Sequence, residues 1–251
     1  MMIEANVVTK APEGVDRFTV PLYTLSEAAH YLNVPPSTFS TWAHGYQRQP
    51  HGRREVTQGP VVTALDREGH SSRTPSVPFI GLAEGLILAA FRRRGVPLQK
   101  IRPALRVLAD EIGLEHALAS RALYTDGAEV LYDYAERQGD TPEARSARQL
   151  IVVRNGQGVF NEIIEDYLHR ITYGADNYAQ IIQLPQYERA DVVADPARSF
   201  GRPIFSRGGA RVEDALQLFW AGEDLQIVAA EFGVPERELE DAVRATSRRA
   251  A

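Results

Sequence analysis

Between Ser37 and Arg54 the chain collects side chains suited to reading and gripping a nucleic acid. Ser37, Thr38, Ser40, Thr41 and His44 are short polar groups able to reach base edges or phosphate oxygens, and Tyr46, Arg48, His51, Arg53 and Arg54 follow directly. A DNA-recognition helix needs this division of labour, with small readers on the helix and cations beside it that neutralise phosphate. The surrounding charge agrees. Residues 41–106 hold eleven Lys and Arg against four acids, in a chain whose formal net charge is −5. A basic region in an acidic protein attracts phosphate locally while the remainder resists nonspecific adhesion. The bland alternative is a helical hairpin whose second helix shows a solvated polar face.

Two short helices across a tight turn would position these groups. Thr24, Leu25, Ser26 and Glu27 form a capping box, and Leu25, Ala28, Ala29 and Leu32 give one apolar stripe on a helix ending near Asn33. Val34, Pro35 and Pro36 break it; Pro36 suits the first turn of a second helix, Phe39, Trp42 and Ala43 form its apolar face, and Gly45 closes it. Trp42 reads as core. Within residues 55–78, the run Val61, Val62, Thr63, Ala64 and Leu65 followed by Asp66, Gly69, Ser71 and Ser72 predicts a strand, a turn and a return strand, a wing. Ala83, Leu86, Ile87, Ala90 and Phe91 predict a helix ending at Arg92, Arg93, Arg94 and Gly95. Leu98, Ile101, Leu105, Leu108 and Ile112 predict the next, with Arg102 and Arg106 on an adjacent face. Arg92 and Arg93 fit phosphate contact and fit equally the capping of a helix C-terminus.

This order of helix-turn-helix, wing and helical pair, with the run from Phe91 to Arg102, resembles the winged DNA-binding domain of MerR-type regulators. The chain departs from that family in having Thr38, Phe39, Ser40, Thr41 and Trp42 where an Arg-Tyr-Tyr-like run is usual. It also lacks effector cysteines and a long dimerising coiled coil.

Further along, Val130, Tyr132 and Tyr134 alternate, and Leu150, Ile151, Val152 and Val153 precede Asn155 and Gly156, a hairpin signal, so a small sheet is expected. Phe160, Ile163, Ile164, Tyr167 and Leu168 predict a helix, residues 136–147 a loop, and residues 178–184 a strand. The tail predicts three helices, lined by Val212, Ala215, Leu216 and Phe219, by Leu225, Val228, Ala229 and Phe232, and by Leu239, Ala242 and Val243. With its start at Gly201, Arg202 and Pro203, its Arg211–Val212 step and its Ala221–Gly222 turn, the tail over residues 191–244 resembles the DUF family numbered 433. Head and tail together resemble VapB-type antitoxins. That resemblance implies a PIN-like ribonuclease toxin as partner and a role for C-terminal arginines, here Arg248 and Arg249, near the nuclease's acidic site.

The last helix carries Glu236, Glu238, Glu240 and Asp241 against Arg237 and Arg244, so it would repel phosphate and is assigned to protein contacts. The tail's acids read as one solvated face without an adjoining cation. With no cysteine, disulfides and thiolate metal sites are excluded. The six histidines lack metal-ligand spacing, and Asn155, Gly156, Gln157 and Gly158 lack the lysine of a phosphate loop. No catalytic residue, metal or cofactor is expected. Residues 1–20 lack the apolar core of a signal peptide and no stretch reaches membrane-span length, so the cytoplasm is the expected setting.

The expected fold is mainly α with small β elements (α+β). A winged helix-turn-helix spans 1–115, a middle α+β segment 116–188, and a three-helix unit for dimerisation or partner binding 189–251. The expected function is that of an antitoxin, a homodimer that binds double-stranded operator DNA as an autorepressor and neutralises a PIN-like ribonuclease. The rivals are a MerR-like, ligand-responsive transcriptional regulator and an adaptor that binds only protein.

Overall fold

A computed structural model describes residues 15–48, 56–65, 73–125, 127–145 and 169–247. The protein is mixed helix and sheet, and the packing divides inside one strand, into Phe18–Gln180 and a unit containing Ile181–Ala251. No helix among the described residues is long and apolar enough to cross a membrane.

The first unit is organised around α3 (Phe79–Arg93), whose residues from Phe79 to Phe91 are all buried. Sequence periodicity gave this helix one apolar stripe. In fact its only charge before Arg92 is Glu84, itself 5% exposed, so the helix is apolar all round and sits at the centre. Elements close over it from both sides. Strand β1 (Pro21–Tyr23) pairs antiparallel with β4 (Val77–Pro78), which leads into α3. Helices α1 (Leu25–Tyr31) and α2 (Pro36–His44) pack on each other and reach α3 at Gly85, where an added Cβ would lie 2.7 Å from both Leu32 Cδ1 and Phe39 Cε2. On the same face Gly81 touches the backbone, its would-be Cβ 2.1 Å from the Thr63 carbonyl oxygen.

A hairpin ladder lies earlier in the chain than the expected wing. Strands β2 (Tyr46–Arg48) and β3 (Val56–Gln58) form an antiparallel ladder, Tyr46 opposite Gln58 and Arg48 opposite Val56. Residues 61–65 are not a strand, because their amides are used elsewhere. The Val61 and Val62 N–H groups both donate to the Trp42 carbonyl (2.8 and 3.2 Å), and the Thr63 N–H donates to Glu84 Oε2 (2.5 Å). The donors of Val61, Val62 and Thr63 thus serve a helix end and a buried carboxylate rather than a ladder, while the Leu65 N–H donates to the Ser76 carbonyl (2.7 Å).

After α3 come α4 (Leu98–Ile112), a 3-10 turn at Ala117–Ala119 packed on α3 and α4, α5 (Ala122–Thr125) and α6 (Gly127–Arg137). Here the expected strand is a helix. Leu131 and Ala135 are fully buried at i and i+4 while Val130 and Tyr134 are half-buried, so the alternation was part of a 3.6-residue period. The loop expected over 136–147 is also more ordered: α6 runs to Arg137, and residues 142–145 make a helical turn that Thr141 caps, its hydroxyl accepting from the Ala144 N–H (3.2 Å). The expected strand at Leu150, Ile151, Val152 and Val153, the turn at Asn155 and Gly156, and the helix from Phe160 to Leu168 lie outside the described residues. Strand β5 (Ile171–Tyr173) turns through residues 174–178 into β6 (Ala179–Gln183), the strand foreseen at 178–184, and β6 carries the chain into the second unit.

In that unit β6 pairs antiparallel with β7 (Val192–Ala194), and β7 with β8 (Ile204–Phe205). The tail helices follow where their stripes place them: α7 (Val212–Trp220), α8 (Leu225–Phe232) and α9 (Glu236–Ser247), mutually packed. Gly222 (φ +104) follows α7 and Gly233 (φ +64) ends α8. One expectation fails here. Glu238 and Asp241 are 6% and 7% exposed, so the tail's acids are not all solvated. Asp241 Oδ2 accepts the N–H groups of Arg189 (2.8 Å) and Ala190 (3.0 Å), holding the approach to β7 against α9. Three further acids have adjoining cations: Arg202 pairs with Glu213 (2.9 Å), Arg211 with Asp214 (3.0 Å) and Arg244 with Glu240 (2.5 Å).

Candidate nucleic-acid interface

The capping box sets the first helix. Thr24 Oγ1 accepts the Glu27 N–H (3.1 Å) and Glu27 Oε2 accepts the Thr24 N–H (2.8 Å), which satisfies two amides at the start of α1. The helix stops at Leu32, and Asn33 takes a left-handed conformation (φ 53) that reverses the chain. Pro36 opens α2, and burial of Phe39, Trp42 and Ala43 fixes which way it faces. Trp42 is 2% exposed and packs with Phe39, ring centroids 6.2 Å apart, so its indole belongs to the core.

With that face inward, Ser37, Ser40, Thr41 and His44 fall at i, i+3, i+4 and i+7 along the outer side. Ser37 and His44 are exposed, and Thr38, Ser40 and Thr41 are half-buried. The Thr41 hydroxyl donates to the Ser37 carbonyl (2.8 Å), and His44 Nδ1 lies 3.2 Å from the Ser40 carbonyl, so the side chains lie along the helix. Gly45 (φ +76) ends α2 where no side chain fits, a Cβ there meeting the Gln58 carbonyl oxygen at 2.0 Å. That close approach sets the β2–β3 ladder directly beyond the helix. Tyr46, the first residue of β2, is 38% exposed, and Arg48 ends the strand. Arg53 and Arg54 lie outside the described residues, as do Arg248 and Arg249.

Arg92 and Arg93 are exposed in the last turn of α3, and each holds a backbone carbonyl. Arg92 Nη1 donates to Val96 O and Arg93 Nη2 to Leu32 O, both at 2.9 Å. Arg93 thus ties α3 to the turn between α1 and α2. Arg102, singled out in the sequence only as part of a helix face, donates through Nη1 to the Gly59 carbonyl at the foot of the ladder. Burial pulls its guanidinium below the ordinary arginine value, nearby Tyr46 opposes that and Arg106 reinforces it; arginine nonetheless stays cationic. Arg102, Arg106, Thr57, Gln58 and Gly59 share the lining of a cavity of about 460 Å³ beside the ladder. Arg102 and Gly59 are 43 residues apart in sequence, so no local pattern could announce their contact.

A second polar cluster braces this head from behind. Glu84 Oε2 holds the Thr63 N–H, while Oε1 lies 2.9 Å from His116 Nδ1, which is 3.0 Å from Thr63 Oγ1. The hydrogen bond to Glu84 raises the His116 imidazole above its ordinary value, against the opposing effect of burial. Both of these polar contacts fall on Nδ1, and they brace Thr63 against α3.

Residues 21–105 match the family described as "Putative DNA-binding HTH domain". Over 230 residues, 91% of this chain and 95% of the other, the sequence is 50% identical to "Putative antitoxin VapB45" of Mycobacterium tuberculosis (strain ATCC 25618 / H37Rv). It is 26% identical over 235 residues, 90% of each chain, to "Uncharacterized protein Rv2308" of the same organism. The crystal structure of Rv2018 from Mycobacterium tuberculosis superposes with a TM-score of 0.73 at 47% identity, covering 91% of this chain and all of that one.

Proposed function

Because the chain belongs to the same family as the mycobacterial protein named "Putative antitoxin VapB45", we propose that it is the antitoxin of a type II toxin–antitoxin pair. It binds double-stranded operator DNA as an autorepressor and neutralises a PIN-like ribonuclease, without catalysis of its own. Half identity across nearly the whole length of that relative is the observation that carries the reading. The head, 1–115, is MerR-like and binds DNA. Its readers are Ser37, Thr38, Ser40, Thr41 and His44, with Tyr46, Arg48, Arg53, Arg54, Arg92 and Arg93 on phosphates. The middle segment, 116–188, supports it, and the tail, 189–251, related to the DUF family numbered 433, serves dimerisation and partner binding. A cytoplasmic twofold dimer would set two heads on the half-sites of a palindrome. Arg248 and Arg249 enter the acidic site of the nuclease.

Co-expression tests this directly. The chain is expected to restore growth to cells making the ribonuclease encoded beside it and to repress a reporter fused to its own upstream region. Absence of both effects rejects the antitoxin reading. Unchanged neutralisation after removal of residues 247–251 rejects the role of the two arginines while leaving the rest standing.

The rival reading, a regulator answering a small molecule, draws on a cleft of about 300 Å³ lined in part by Val62, Thr63, Glu84, Leu114 and His116. That is the lower end for a ligand pocket, roughly 300–1,000 Å³.

A further inference from the structure

Two large apolar side chains stand out of the tail on either side of one turn. Trp220 ends α7, Ile227 lies in the first turn of α8, and each is 58% exposed. Single exposed apolar residues are ordinary. The charge around this pair is not. From residue 212 to residue 235 the chain carries Glu213, Asp214, Glu223, Asp224 and Glu231 and no Lys or Arg. Glu213 and Asp214, at the far end of α7, are held by Arg202 and Arg211. Asp224 caps α8, its Oδ1 accepting the Gln226 N–H at 2.8 Å, while Glu223 and Glu231 are exposed. Along the chain the apolar pair is therefore flanked by carboxylates, with no cation on either helix.

We propose that this face docks a protein partner presenting an apolar ridge flanked by Lys or Arg. Trp220 and Ile227 supply the buried centre, and Glu223, Asp224 and Glu231 pair with the partner's cations at the rim. A tryptophan surrounded by matched charges has the composition of an interface hot spot. The complementarity also discriminates. A second copy of this chain meeting it about a twofold axis would oppose the same acids, and DNA would meet a repelling field. The proposal deepens the antitoxin reading and rests on it for which protein the partner is.

Tryptophan fluorescence of the full chain isolates the face, because the other tryptophan, Trp42, is 2% exposed. The probes are a synthetic amphipathic leucine–lysine peptide and its leucine–glutamate counterpart. The lysine peptide is expected to blue-shift the emission, with affinity falling at least about fivefold between about 50 and about 300 mM salt. Ile227→Asp, or Glu223→Lys with Glu231→Lys, is expected to weaken it at least about tenfold with the melting temperature unchanged. The glutamate peptide leaves the emission where it was. Equal response to both peptides, response to neither, or a change in the sedimentation of the chain alone on Ile227→Asp would overturn the proposal. The same variants are then carried into co-purification with the ribonuclease. Failure of the wild-type chain to retain it sinks the antitoxin reading and leaves the peptides to decide the face, whereas retention by wild type and Ile227→Asp alike rejects the face.

Discussion

Glu84 shows how much one buried carboxylate can organise. It holds the Thr63 amide and the His116 imidazole, two groups from segments far apart in sequence, and so fixes the chain that passes behind the α1–α2 head. The contact makes stability depend on pH in a defined direction. His116 binds its proton more tightly in the folded protein than its ordinary 6.5, so the stabilisation is fully present below 6.5 and is lost as pH rises through the folded-state value. Urea unfolding across that range is expected to show this decline in the wild type and a flatter profile in Glu84→Gln; identical profiles would remove His116 from the account. Removing the side chain altogether, in Glu84→Ala, leaves the Thr63 amide without its acceptor and is expected to cost about 1–3 kcal/mol. None of this was legible in the sequence. Glu84 sits in an apolar helix and His116 is 32 residues away, a separation at which no local spacing rule operates. The outward polar residues of α2 were legible, because Phe39, Trp42 and Ala43 fix the inner face at helical period and leave the rest outside.

At the scale of elements, two glycines of α3 make a comparison with a clear sign. A methyl at Gly85 meets the ends of Leu32 and Phe39, which can shift, whereas a methyl at Gly81 meets the Thr63 carbonyl, which cannot. Overpacking costs typically about 1–3 kcal/mol, and alanine returns up to about 1 kcal/mol of helix propensity. Gly85→Ala is therefore expected to be mildly destabilising and Gly81→Ala clearly worse; denaturant titration finding the reverse order would contradict the packing described. In the tail, Asp241→Ala leaves two amides without an acceptor and is expected to cost about 1–3 kcal/mol or more in the same measurement. Where caps and glycines bound an element, the residues announced it: Thr24 and Glu27 for α1, Pro36 and Gly45 for α2, Gly222 and Gly233 around α8. Where long-range contacts decided, they did not. The amides of residues 61–63 are claimed by Trp42 and Glu84, which moves the hairpin to Tyr46–Gln58. The alternation of Val130, Tyr132 and Tyr134 mimics a strand, whereas α6 turns its buried face at helical period through Leu131 and Ala135.

Across the whole molecule the charge is divided between the two units. The basic stretch of residues 41–106 belongs to the unit that carries the DNA-binding family's signature, and the acidic helices α7 and α8 belong to the other. Such a division predicts that DNA affinity falls steeply with salt, by a log–log slope of about 0.9 for each phosphate neutralised. Arg48, Arg53 and Arg54 changed together to Ala are expected to shallow that slope by about 2–3 units, with neutralisation of the ribonuclease untouched. The account stands most directly on the outer face of α2 as the surface that meets DNA. Fluorescence anisotropy of a labelled upstream duplex, with the Ser40→Glu, Thr41→Glu double variant against wild type, tests that claim. Affinity is predicted to fall by about two orders of magnitude or more, as loss of two base or phosphate contacts worth about 1–3 kcal/mol each requires, at an unchanged melting temperature. Binding undiminished in a correctly folded double variant would contradict it.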